Sequence, residues 1–116
     1  MTNKQLEALN VKIAKKMGWK KFRLERTPEP MNTRRMTAIS PGNFRHQFVP
    51  GFTNNLAYAM QLVDWAVEHE FKFTLNRKKE YEGAYYAEFS GFLMDECGEY
   101  ATLPSMAICM AFLKIK

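Results

Sequence analysis

The spacing of apolar residues is the feature that most limits the fold of this 116-residue chain. Three stretches place apolar side chains three or four residues apart, which indicates amphipathic helices. Two further stretches alternate apolar and polar residues, which indicates β-strands. The pattern predicts helices over 3–17, 53–70 and 103–115, and a hairpin with strands at 71–75 and 84–89.

Residues that suit helix ends support these boundaries. Thr2 followed by Gln5 is a capping-box pattern, and Gly18 suits the position just after the first helix. Thr53 is predicted to cap the second helix, with Phe52 packing onto its first turn. The third helix has Pro104 in its first turn, where proline is tolerated.

Together these elements predict an α+β fold in a single domain, residues 1–116. Short extended pieces within 22–49 would add strands to the antiparallel sheet of the hairpin, although prolines interrupt this region. The expected architecture is that sheet packed between the three helices, an α/β/α sandwich. Apolar residues extend almost around the third helix, which predicts that it is buried.

The positive charge of the chain is concentrated in one segment. Residues 12–46 hold ten basic and two acidic side chains, a net of +8, whereas residues 47–116 have a net charge of −3. A field of this kind favours anionic partners. The alternative is that these charges only keep a helix face solvated and the protein in solution.

The cellular compartment is predicted from the membrane and secretion signals that the sequence lacks. No apolar run approaches the ~20 residues of a membrane span, and the first residues form no apolar signal core. Cys97 and Cys109 are too few for a disulfide framework. We therefore expect a cytoplasmic protein that does not enter membranes.

Catalytic and metal-binding patterns are also missing from the sequence. His46 and His69 have no second ligand at metal-binding spacing, so no metal site is predicted. Cys109 falls in the apolar third helix, where a thiol is inert. There is no phosphate-binding loop or dinucleotide fingerprint, so we predict no cofactor and no enzyme. Acid–base chemistry by the acidic stretch 95–99 stays an open alternative.

What remains is a candidate anion site in the irregular basic segment. Arginine forks can hold phosphate oxygens, a helix start offers amide donors, and phenylalanine rings can stack on a base. The predicted ligand-binding residues are Arg34, Arg35, Arg45, His46, Thr53, Asn54, Asn55, Phe44 and Phe52. The alternative is that the phenylalanines at 44, 48 and 52 belong to the core and that the arginines are merely solvated.

Five segments of the chain resemble a known family: residues 9–14, 17–19, 50–55, 84–89 and 101–111. They read LNVKIA, MGW, PGFTNN, AYYAEF and ATLPSMAICMA, and together they are similar to the small bacteriophage proteins of the phage ABA sandwich domain family. Tyr85 and Tyr86 stand where that family commonly has a strand tryptophan. The resemblance implies a sheet between helical layers and a phage or prophage origin. It supplies no catalytic residue.

Three functions follow from these observations. The first is a phage-encoded accessory protein, active against host defence, that sequesters an anionic small molecule such as a nucleotide signal, with a possible binding pocket between subunits of a homo-oligomer. The second is a module that binds and inhibits a host protein through aromatic residues; the candidates are Trp19, Trp65, Tyr81, Tyr85 and Tyr86. The third, nucleic-acid binding, is disfavoured by the acidic C-terminal part of the chain.

Overall fold

Helices and strands follow the order α-β-β-β-α-β-β-β-α along the chain. The computed structural model describes residues 2–26, 34–78, 84–91 and 97–115. The elements are α1 (Asn3–Lys16), β1 (Lys20–Arg26), β2 (Arg34–Ile39), β3 (Gln47–Phe48), α2 (Leu56–Glu68), β4 (Lys72–Lys78), β5 (Ala84–Ser90), β6 (Cys97–Ala101) and α3 (Pro104–Leu113).

The chain divides into two compact units, residues 1–50 and residues 51–116. Unit 1 has eleven basic and three acidic side chains in its sequence, a net charge of +8, and unit 2 has a net charge of −3. The uneven charge found in the sequence therefore coincides with a structural division. The prediction of a single domain stays a prediction.

Unit 1 begins with the predicted capping box. The Thr2 hydroxyl accepts from the amide of Gln5 at 3.2 Å, and the Gln5 side chain accepts from the amide of Thr2 at 2.8 Å. The helix ends before Gly18, whose φ of +96° is a conformation that glycine adopts readily. The amide of Trp19 then donates to the carbonyl of Ala14, which closes the turn.

Three antiparallel strands follow α1 in the order β1-β2-β3. The β1–β2 register runs from Lys20 opposite Ile39 to Arg26 opposite Arg34. Helix α1 contacts this sheet through Glu7, whose carboxylate accepts from the amide of Met36 at 3.1 Å. The extended pieces expected within 22–49 are therefore present, but they pair with one another and not with the hairpin.

Unit 2 contains α2, which begins later than predicted. Asn55 is its N-cap, because the Asn55 side chain accepts from the amides of Ala57 and Tyr58. The predicted cap, Thr53, is wrong: that residue is buried, and its carbonyl accepts from the Ser105 hydroxyl at 2.8 Å. The contact with α3 holds Thr53 out of the helix.

The predicted hairpin of unit 2 is confirmed. Strands β4 and β5 are antiparallel, with Phe73 opposite Phe89 and Leu75 opposite Ala87. Strand β6, which was not predicted, pairs with the other edge of β5. Its five residues, CGEYA, lack alternating apolar side chains, so the sequence pattern gave no signal for it.

Helix α3 is buried as expected, because it packs against the apolar face of the β4-β5-β6 sheet and against α2. The Phe112 ring meets Phe89 edge-on at 6.3 Å between centroids and Trp65 at 5.4 Å. Ala107, Ile108 and Phe112 have no exposed surface. Lys114 then pairs with Glu99 of β6 at 2.6 Å.

The α+β class with antiparallel strands is thus confirmed, with the strands divided between two three-stranded sheets. Within the described ranges, no helix has the length and apolar character that crossing a bilayer requires.

The glycine in β6 provides a test of the second sheet. The Tyr86 ring lies across Gly98, and its hydroxyl donates to Glu88 at 2.8 Å, so a Cβ at Gly98 would occupy the space of that hydroxyl. We expect Gly98→Ala to lower the free energy of unfolding by about 1–3 kcal/mol, measured by urea denaturation. In a Tyr86→Ala background the same change should cost much less. Equal losses of stability in the wild-type and Tyr86→Ala chains would contradict the contact between Tyr86 and Gly98.

Candidate functional site

The predicted anion-site residues divide between the two units. Phe44, Arg34, Arg35, Arg45 and His46 belong to unit 1. The helix-start group, residues 52–55, belongs to unit 2.

The helix-start group does not offer the expected anion site. Phe52 and Thr53 have no exposed surface, so the Phe52 ring cannot stack on a ligand. The amide of Asn54 donates to the carbonyl of Gly51 at 3.3 Å. The Asn55 side chain occupies the first amides of α2. An N-cap satisfies the same donors that an anion would need. The stacking role predicted for Phe52 is therefore wrong, and a ligand-binding role for the exposed Asn54 and Asn55 stays a prediction.

Unit 1 contains a cleft of about 460 Å³ at one end of its sheet. The cleft lies between the turn that leaves α1, the start of β1 and the turn that follows β2. Its lining residues are Gly18, Lys20, Lys21, Ile39, Ser40, Pro41, Gly42, Asn43 and Phe44. Among these lining residues, Phe44 is the one that the sequence predicted as a site residue. Lys20 and Lys21 line the cleft as well but were not predicted.

The backbone at the start of β1 is irregular where it borders the cleft. The β1–β2 register shifts between Lys20 and Arg23, and Lys21 has a φ of +57°. Such a conformation costs a residue with a Cβ roughly 1–2 kcal/mol. His46 holds this bulge, since its Nε2 lies 2.8 Å from the carbonyl of Lys21 and donates to it. Bulges of this kind redirect side chains and are frequent beside binding sites.

The turn opposite these lysines presents an aromatic ring to solvent. Phe44 is 96% exposed. The turn itself is ordered by the amide of Asn43, which donates to the carbonyl of Ser40 at 3.1 Å, and by Gly42 at a φ of +79°. An ordered turn that carries an uncovered phenylalanine is unusual in a soluble domain and suits a stacking contact.

The predicted arginines lie elsewhere in unit 1. Arg45 is exposed next to Phe44 but does not line the cleft. Arg34 and Arg35 begin β2, at the end of the hairpin opposite the cleft. The guanidinium of Arg35 lies 4.7 Å from the ring centroid of Phe48, a cation–π contact. The structure therefore separates residues that the sequence analysis grouped into one site.

Lys20 and Lys21 bring two positive charges to the cleft. Within the described ranges, neither Lys20 nor Lys21 makes an ion pair. The Glu25 carboxylate instead accepts from Arg23 Nε at 2.6 Å. The cleft therefore combines positive charge, polar turn atoms and an aromatic ring.

Cys109 and His69 of unit 2 carry groups of the kind that take part in covalent or metal chemistry. Burial raises the pKa of the Cys109 thiol to about 12, so this thiol is neutral at physiological pH. His69 stacks on Trp65 at 3.9 Å, and its Nδ1 lies 2.7 Å from the Trp65 carbonyl. Among the described residues, no three histidine, cysteine or acidic side chains gather as metal ligands. Of the acidic stretch 95–99, residues 95 and 96 lie outside those ranges.

Sequence reasoning missed Lys20 and Lys21 as site residues. Both belong to the basic segment, but only the hairpin register places them beside residues 39–44. The Pro41-Gly42 turn is the sequence signal that could have located this site, because its glycine marks the point where the chain reverses.

The fold is similar to that of a phage protein from Bacillus cereus ATCC 14579. The two chains superpose with a TM-score of 0.63 and 19% sequence identity, over 92% of this chain and 87% of that chain. At this identity the similarity concerns the fold. No protein-family model matches the sequence, and no curated protein matches it. The resemblance to the phage ABA sandwich family stays a prediction.

The bulge at Lys21 can be tested by substitution. We expect Lys21→Gly to raise the free energy of unfolding by about 0.5–1 kcal/mol, because glycine adopts a positive φ without steric cost. Lys20→Gly removes the same charge from a residue whose φ is not positive. Because glycine then brings only its greater backbone entropy in the unfolded state, this change should lower the free energy of unfolding by about 0.5–1 kcal/mol. Urea denaturation measures both. Destabilisation by both glycines to the same extent would contradict the assigned backbone.

Proposed function

We propose that this chain is a non-enzymatic accessory protein of a phage that binds and sequesters an anionic small molecule of the nucleotide class. The observation that carries the proposal is the unit 1 cleft, where Lys20 and Lys21 face the turn that bears Phe44. The lysines would neutralise phosphate, and the 96% exposed ring would stack on the base.

The size and polarity of the cleft suit a small ligand better than a large one. A volume of about 460 Å³ falls within the usual range of small-molecule sites. Ser40 and Asn43 line its wall, where the side-chain amide of Asn43 donates to the Ser40 hydroxyl.

The phage assignment rests on similarity. The Bacillus cereus protein with the similar fold is a phage protein, and the resemblance to the phage ABA sandwich family points the same way. A phage protein that only binds a nucleotide would act by lowering its free concentration in the host cytoplasm, as an anti-defence protein does. A homo-oligomer would multiply the number of binding sites per particle.

Calorimetric titration with a panel of linear and cyclic nucleotides tests the proposal. At roughly 100 μM protein, at least one nucleotide should bind with an affinity of about 100 μM or better. Phe44→Ala should weaken that binding by about 5- to 100-fold, the usual loss for one base-stacking ring. Because Phe44 is exposed, the variant should keep the wild-type melting temperature.

A charge-matched control identifies the cleft as the site. Lys21→Ala should weaken nucleotide binding, whereas Lys12→Ala, an exposed change on α1, should not. Product analysis after prolonged incubation should recover the nucleotide unchanged. No heat with any nucleotide, or equal losses for both lysine variants, would contradict the proposal.

One feature of unit 2 favours a second candidate, the binding of a host protein. The exposed apolar residues Leu56, Met60 and Val67 lie at helical spacing along one side of α2, and Val67 is 56% exposed. Apolar stripes of this kind occur where helices meet partners. The aromatic residues first considered for this role are mostly half-buried, and Tyr81 lies outside the described residues.

A pull-down from host lysate distinguishes this candidate. A partner retained by the wild-type chain should be lost with Val67→Glu, because burying an unpaired carboxylate in an interface is costly. Gln61→Glu adds the same charge to another exposed position of α2 and should keep the partner. Retention of the same partner by the Val67 variant would reject the stripe as the docking surface.

A further inference from the structure

Two arginines face each other at the end of the β1–β2 hairpin that lies away from the cleft. Arg26 and Arg34 are directly opposite in the register, and both are exposed. Side chains in such pairs have Cβ atoms about 4.5–5.5 Å apart, and like charges at this distance destabilise the strand pair. The pairing therefore places two positive charges together at a cost.

Among the described residues, the neighbouring acidic groups Glu7 and Glu25 pair elsewhere and not with Arg26 or Arg34. In the part of the chain that the structure describes, neither Arg26 nor Arg34 makes an ion pair. Glu25 is next in sequence, but alternate residues of a strand point to opposite faces, and its carboxylate pairs with Arg23. The Glu7 carboxylate accepts from the amide of Met36.

Arg35 does not lie on the same face of the sheet as Arg26 and Arg34. It follows Arg34 in β2, so its side chain leaves the other face of the sheet, where it lies over the Phe48 ring. The pair Arg26–Arg34 is thus a separate, two-arginine feature. Two guanidinium groups side by side present parallel N–H donors that match the oxygens of one phosphoryl group.

We propose that Arg26 and Arg34 form a binding site for a phosphoryl group, distinct from the cleft. The bound dianion replaces the arginine–arginine repulsion by charge-assisted hydrogen bonds to both side chains. Lys20 of the cleft and Arg26 are six residues apart on one strand, roughly 20 Å, so one mononucleotide does not span both places. The inference stands independently of the proposed function of the cleft.

Thermal unfolding in phosphate and in chloride at matched low ionic strength tests the site. Sodium phosphate should raise the melting temperature of the wild-type chain above its value in chloride by about 2–4 °C. Arg34→Glu turns the like-charged pair into an opposite-charged pair. It should raise the melting temperature in chloride and abolish the response to phosphate.

Matched variants separate this result from general charge effects. Lys12→Glu makes the same charge change on α1 and should leave the phosphate response intact. Arg34→Gln, a milder change, should also abolish the response, and it replaces Arg34→Glu if that variant does not fold. Equal melting temperatures in phosphate and chloride, or a response that survives in Arg34→Gln, would overturn the proposal.

Two probes then identify the source of the phosphoryl group. A nucleoside monophosphate and a short single-stranded DNA should each compete with inorganic phosphate at Arg26 and Arg34, followed through the guanidinium N–H signals by NMR. If the free ester is the source, binding should depend weakly on salt, whereas a polynucleotide would add further phosphate contacts and a steep salt dependence. Backbone amide signals are recorded in the same titrations, and shifts confined to Lys20 and Lys21, with the guanidinium signals of Arg26 and Arg34 unchanged, would contradict the site and leave the cleft proposal standing.

Discussion

The antiparallel pairing of β1 with β2 determines where the cationic side chains of unit 1 lie. Its register brings Lys20 beside Ile39 at one end and Arg26 beside Arg34 at the other. The bulge at Lys21 sets the direction from which Lys20 and Lys21 approach the cleft. The His46 side chain, from the loop after β2, stabilises that bulge through its hydrogen bond to the Lys21 carbonyl. A shift of one residue would turn every one of these side chains to the opposite face. Both proposed sites therefore depend on a single set of strand hydrogen bonds.

The two units differ in the way they are held together. Unit 2 buries aromatic rings between α3 and its sheet, so its stability comes mainly from packed apolar surface. Unit 1 exposes most of β1 and carries a surplus of positive charge, which opposes compaction. A ligand bound at either of the proposed anion sites would therefore stabilise unit 1.

Local pattern was sufficient for part of this structure. The Thr2–Gln5 cap and the alternation at residues 71–75 depend on neighbours in sequence, and both were predicted correctly. The cap of α2 was misplaced because a hydrogen bond from Ser105, 52 residues away, holds Thr53 outside the helix. The cleft was missed for the same reason, since only the strand register brings Lys20 near Phe44. Interactions between distant residues, which no local pattern encodes, account for these failures.

The contact between Glu7 and β2 has a consequence for how molecules of this chain meet one another. Strand β3 is only two residues long, so it covers only part of the outer edge of β2. An uncovered strand edge is a template on which a second molecule can add its own strand. The Glu7 carboxylate occupies the amide of Met36 just beyond β3, so this donor is already satisfied at the outer edge of β2. A strand added there would find one donor fewer, whereas the outer edge of β1 has no partner strand in the described residues.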